Sequence, residues 1–149
     1  MARSTNTQFA VAVHVLTYLA GRTDGAPVNS AELSGSTRVN AVYVRRVLGP
    51  LRAAGFVRSQ PGVNGGWELV VPPESIPLSR VWSLLQGDDP VLGLHGPDPT
   101  CAVGRGVQKA LAQLDHGVAD ALASHLGRFT VADVLAGNVG QPTTASSSL

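Results

Sequence analysis

Thiol chemistry is nearly missing from this chain: among 149 residues there is one cysteine, Cys101. A single thiol excludes an intrachain disulfide framework, and any one-chain zinc or cluster site built on several thiolates. Lysine is almost missing too, Lys109 being the one example, so arginine carries the positive charge. Charged residues make up only 14% and aromatics 5%, against 44% hydrophobic, which excludes a charge-swollen disordered chain and describes a globular one. Long hydrophobic runs are lacking. The most apolar stretch, Phe9–Ala20, is interrupted by His14, Thr17 and Tyr18; it is too short to cross a bilayer and a poor secretory-signal core. It reads as a buried helix, and the expected setting is the cytoplasm, with no membrane partner. His14, His95, His116 and His125 show no metal-ligand spacing, with His14 expected in the core or an interface and the others on the surface. Gly62–Gly66 resembles a phosphate loop but lacks the Lys-Ser/Thr that should follow. No catalytic triad or carboxylate pair stands out, so the sequence predicts no enzyme, no metal and no cofactor.

What is present is an uneven distribution of charge. The net charge is only +1, yet Arg38, Arg45, Arg46, Arg52 and Arg58 lie between Leu33 and Trp67 with no Asp or Glu among them. From Glu68 to Val103 the balance reverses, with Glu68, Glu74, Asp88, Asp89 and Asp98 against Arg80. A basic block of this kind is the footprint of a phosphate-binding face; a solvated arginine-rich surface is the plainer alternative.

Periodicity supplies the elements. A first helix is predicted from about Asn6 to Arg22, apolar nearly all round and therefore covered on more than one side, which one domain core plus a partner subunit would satisfy. A short second helix begins near Asn29, with Glu32 completing a capping box and Ser34-Gly35-Ser36 as the turn. A third starts at the Asn40 cap and stops at Gly55, with Val44, Val47, Leu48 and Leu51 as a buried stripe. Its opposite face carries Tyr43, Arg45, Arg46 and Arg52, and Pro50 is expected to kink its last turn. Residues 56–60 and 67–71 read as two strands joined by the turn residues Pro61–Gly66. Helix, tight turn, basic helix and hairpin in that order predict a mainly α fold with a small β-hairpin wing, a winged helix-turn-helix. After Pro72-Pro73 come a short helix over Leu78–Gln86, an acidic proline-containing loop, and a long helix over Ala102–Leu126. Val107, Leu111, Leu114, Val118 and Ala121 step through the long helix at the period of a helix–helix seam, with Gly117 beside them. A last helix over Thr130–Leu135 is capped by Thr130 with Asp133 at its third position. The expected organisation is a DNA-binding domain over residues 1–75, a connecting and dimerising part over 76–136, and a disordered tail over 137–149.

Three segments carry a family resemblance: Gln8–Leu16, Val44–Val57, and Gly65-Gly66-Trp67-Glu68-Leu69. Together they resemble the Rrf2 family of winged-helix repressors, over about residues 5–136. The resemblance implies a homodimer joined by the long helix, with the third helix in the major groove of double-stranded DNA and the wing in a minor groove. Cluster-binding members place three cysteines before the long helix, where this chain has Cys101 alone; Cys101-Ala102-Val103-Gly104 resembles the cluster-less, YwnA-like branch. Some members carry arginine where this chain has Pro61, so that mode of minor-groove reading is not implied here.

The candidate DNA-contacting residues are therefore Arg38, Asn40, Tyr43, Arg45, Arg46, Arg52, Arg58, Asn64, Gly65 and Gly66. Arg45 and Arg46 suit guanine, whose two major-groove acceptors match a guanidinium, although phosphate contact serves equally well for either. Arg38, Arg52 and Arg58 are candidates for phosphates, and Asn40 is first a helix cap. Tyr43 has three candidate roles: a phosphate, a thymine methyl, or packing under the wing. Asn64, Gly65 and Gly66 permit close backbone approach to DNA and are also ordinary turn residues. Cys101, just before a helix and one turn from Arg105, is a candidate redox sensor, since helix N-termini and cations favour thiolates. Two other readings stay open: a protein–protein module on the same scaffold, and a cluster sensor with ligands shared between chains.

Overall fold

The computed structural model describes residues 4–140. The order is α1 (Thr5–Ala20), α2 (Ser30–Thr37), α3 (Ala41–Ala53), β1 (Val57–Gln60), β2 (Gly66–Leu69), a 3-10 turn (Pro73–Ser75), α4 (Leu78–Gln86), α5 (Ala102–Leu126) and α6 (Val131–Ala136). The winged helix-turn-helix and the long C-terminal helix are both present.

Local chemistry explains most of the boundaries. The Asn29 side chain accepts from Glu32 N at 2.8 Å and the Asn40 side chain from Tyr43 N at 2.8 Å, satisfying first-turn donors that α2 and α3 would otherwise leave open. The box expected at Asn29 is only half made. The Glu32 carboxylate turns instead to the Tyr18 hydroxyl (2.7 Å) and to Arg22, tying α2 to α1; by accepting the Tyr18 hydrogen bond, it also holds that phenol above its ordinary pKa. Helix α2 does not stop at Ser34-Gly35-Ser36 but runs to Thr37, and the turn is made by Arg38 in the left-handed conformation (φ 59°). Helix α3 continues through Pro50 to Ala53. At Thr130 the capping box is complete, with Asp133.

The hairpin is antiparallel, pairing Val57 with Leu69, Arg58 with Glu68, Ser59 with Trp67 and Gln60 with Gly66. A further bridge joins Val28 to Trp67, so the chain entering α2 lies along the wing. This packing demands glycine. A Cβ on Gly66 would sit 2.5 Å from the Val28 carbonyl oxygen, and one on Gly65 2.0 Å from that of Gln60.

One core holds these elements together. Val15, Leu16, Leu33, Val44, Leu48 and Leu51 are buried in it, and so are Ile76, Leu78, Val81 and Val131. The core thus crosses the boundary expected at residue 75: α4 and α6 complete the domain that α1–α3 begin. Tyr43, placed by the sequence on the basic face of α3, instead lies in this core at 9% exposure. The buried arc of α3 is one residue wider than the apolar stripe suggested. Of the expected tail, residues 141–149 lie outside the described residues.

Candidate nucleic-acid interface

Helix α3 presents one face to solvent. Val44, Val47, Leu48 and Leu51 are buried, while Val42, Arg45, Arg46 and Arg52 are exposed. Gly49, on the same arc, leaves open space where a side chain would stand. Arg45 Nε reaches Ser30 Oγ at 3.4 Å, a contact that draws its base toward the start of α2. Arg52 lies over the Trp67 ring at 5.9 Å from its centroid and donates to Ser59 Oγ at 3.5 Å, which orients it toward the wing. Arg38 is exposed at the turn between α2 and α3, and Asn40 is exposed with its side chain committed to the cap.

Arg58 behaves differently from the other arginines. It donates twice to Glu68 Oε2, at 3.1 and 2.8 Å, across the hairpin register. A phosphate would have to share it with that carboxylate. At the wing tip Asn64 is exposed, and Gly65 and Gly66 are half-buried against the protein's own backbone. The arginines of the helix-turn-helix, Arg38, Arg45, Arg46 and Arg52, are all exposed. Tyr43 is buried and does not join them.

Helix α5 buries no residue. Val107, Leu114, Val118 and Ala121 of the expected seam are exposed, Leu114 at 59%, and Leu111 is half-buried. Val103, not among the expected seam residues, is exposed one turn before Val107. Cys101 is exposed and caps α5, its Sγ accepting from Gly104 N at 3.4 Å. Arg105 donates to the Pro99 carbonyl at 2.9 Å, so its guanidinium is held at the preceding turn. That turn is tightened by Thr100, whose N and Oγ1 both donate to Asp98 Oδ1 (2.9 and 2.8 Å), bonds that hold the Asp98 carboxyl below its ordinary pKa. His14 is exposed and not in the core, with Nε2 2.9 Å from Ser36 Oγ. Beside it, a groove of about 790 Å³ between α1 and α6 is lined by Val13, Thr17, Tyr18 and Leu135 among others.

The residue that sequence reasoning missed on this face is Val42. The signal was available: the period that buries Val44, Val47, Leu48 and Leu51 puts Val42 on the opposite side.

Among the described residues no helix is long and apolar enough to cross a membrane. The Rrf2 family pattern, described as an iron-dependent transcriptional regulator, matches residues 5–137. A protein of Bacillus subtilis strain 168 assigned as the HTH-type transcriptional regulator YwnA is 30% identical over 131 residues, covering 87% of this chain and 96% of that one. The crystal structure of a protein from Lactobacillus plantarum assigned as a transcriptional regulator is 26% identical, with a TM-score of 0.75 over 90% of this chain and 91% of its own. CymR of Staphylococcus aureus shares the fold at a TM-score of 0.64 and 24% identity, over 87% of this chain and 95% of its own. Iron, implied by the family's description, does not fit the donors here. The one thiol stands exposed at a helix cap, and among the described residues no three His, Cys, Asp or Glu side chains gather to hold a metal. With the helix-turn-helix, the wing and these relatives in agreement, the chain belongs to the Rrf2 family and is a DNA-binding transcription regulator.

Proposed function

We propose that the protein is a homodimeric repressor, working in the cytoplasm, that places α3 of each subunit in the major groove of double-stranded DNA. The carrying observation is the solvent face of α3, where Arg45 and Arg46 stand exposed and, among the described residues, form no salt bridge. Arg38 and Arg52 flank them as phosphate contacts, with Asn40 holding the helix start, and Asn64 is the wing's candidate contact. Dimerisation through Val107, Leu114, Val118 and Ala121 is supported by the absence of any buried residue on α5, a helix about 37 Å long at 1.5 Å per residue. Exposed apolar rows of this kind are ordinarily covered.

Selection from a randomised duplex pool tests this reading. Arg45→Ala and Arg46→Ala should each cost about 1–3 kcal/mol on the selected site and much less on random DNA. Equal losses on both would make them phosphate clamps only. Binding should also fall steeply with salt as counterions are released; salt-independent binding would point to a protein partner instead.

The exposed Cys101 at the start of α5 supports redox control of that dimer. A peroxide oxidises the thiolate to a sulfenic acid with loss of water or alcohol. A second thiol, the partner's Cys101, then displaces a further water to form a disulfide. Mild peroxide should alter DNA affinity in the wild type and leave Cys101→Ser unchanged; identical responses would make the thiol structural.

A further inference from the structure

We propose that Val42 reads a thymine, through van der Waals contact with the 5-methyl group on its major-groove edge. The inference rests on the DNA-binding reading above and names a base within it.

Among the described residues, Val42 has no packing role. It is 62% exposed and belongs neither to the core nor to the apolar residues packed around it. The Asn40 cap makes Val42 the second residue of α3. A hydrophobic closure at this helix start would pair Val39 with Val44, and both of those are buried. A β-branched side chain also gives poorer helix than alanine at an exposed position. Neither stability nor solubility accounts for valine at this point.

Its surroundings do account for it. At 100° per residue, Val42 lies between Arg45 and Arg46 on the helical circumference, about 60° from one and about 40° from the other. Gly49 continues the row with open space, so the helix surface is low behind Val42 and can approach another surface closely. In helix-turn-helix proteins the first turns of this helix meet base edges. Valine can neither donate nor accept, so it cannot bond a phosphate or a polar base edge. Thymine alone offers an apolar group in the major groove. Adenine would leave its amino group buried against an isopropyl group without a partner, and cytosine has no methyl to touch.

The spacing adds a positional requirement. Residues three and four apart on a helix have Cβ atoms about 5–6 Å apart, and base pairs stack about 3.4 Å apart. The thymine should therefore lie within about two base pairs of any guanine read by Arg45 or Arg46.

The test uses the full chain. Duplexes are selected from a random pool by the wild type, and the best is remade with each thymine replaced in turn by deoxyuridine, which removes only the methyl. Affinities are measured by fluorescence anisotropy for the wild type and Val42→Ala. One deoxyuridine should weaken wild-type binding about fourfold, the worth of one buried methyl-sized group at tenfold per 1.4 kcal/mol. The same replacement should leave Val42→Ala unaffected. Matching deoxyuridine profiles in the two proteins would overturn the inference. So would a Val42→Ala loss that is equal on selected and random duplexes, since that describes contact with the sugar-phosphate chain. Failure of the wild type to enrich any sequence would instead overturn the DNA-binding reading, and the inference with it.

Discussion

Gly65 and Gly66 show how one residue type can serve two ends. Beside the wing tip they invite an explanation in terms of DNA, because glycine lets another backbone come close. The close backbone is the protein's own: Gln60 and Val28 occupy the space where their Cβ atoms would stand. Gly66→Ala should therefore destabilise the free protein by about 1–3 kcal/mol, the usual cost of overpacking, measured by urea unfolding without DNA. A variant as stable as the wild type that lost only DNA affinity would return these glycines to the DNA interface. Tyr43 carries the complementary lesson. A polar aromatic on a basic helix suggests a DNA contact, yet its ring fills the core beneath α3.

Among elements, the α2–α3 connection is the most constrained. Arg38 is the one non-glycine residue with positive φ among those described. A left-handed residue with a Cβ costs about 1–2 kcal/mol, and glycine there would return part of this while adding unfolded-state freedom. Backbone strain retained at such a point is a pointer to function, and the exposed Arg38 side chain is the proposed phosphate contact there. Arg38→Gly should leave stability unchanged or raise it by up to about 1 kcal/mol. DNA affinity should fall at the same time, with the salt slope reduced by about one. Stability and affinity measured on the same preparation separate the two effects. A loss of stability would mean that the arginine side chain supports the fold and is not held there for DNA.

For the whole molecule, the exposed apolar row of α5 is the surface with the widest consequence. The domain core is complete without its exposed row, since α4 and α6 close over α1–α3. Leu114→Asp should accordingly convert a dimer to a folded monomer. Light scattering would read the mass, and circular dichroism would show helix content and cooperative melting retained. A folded Leu114→Asp dimer would move the interface elsewhere, the groove between α1 and α6 being the next apolar surface. Because two half-sites lie about one helical turn apart, loss of the dimer should weaken DNA binding even with Arg45 and Arg46 intact.

Periodicity and capping chemistry were enough to place α4 and α5 at their observed ends and α1, α3 and α6 within about two residues, whereas α2 overran its expected Ser34-Gly35-Ser36 turn to Thr37. The stripe Val44, Val47, Leu48, Leu51 and the turn residues after Gln60 likewise made the basic helix and the wing legible. These features are local: each depends on neighbours within a few positions, and a linear pattern records them. Tertiary structure decided the rest. Whether Glu32 closes its own cap or reaches Tyr18 and Arg22 depends on α1 lying alongside. Whether Arg58 is free for phosphate depends on the strand register that sets Glu68 opposite. The burial of Tyr43 and the exposure of Val42 depend on how wide an arc of α3 the remaining elements cover. Such outcomes are set by contacts between residues distant in the chain, and no local pattern encodes which of two competing partners is nearer.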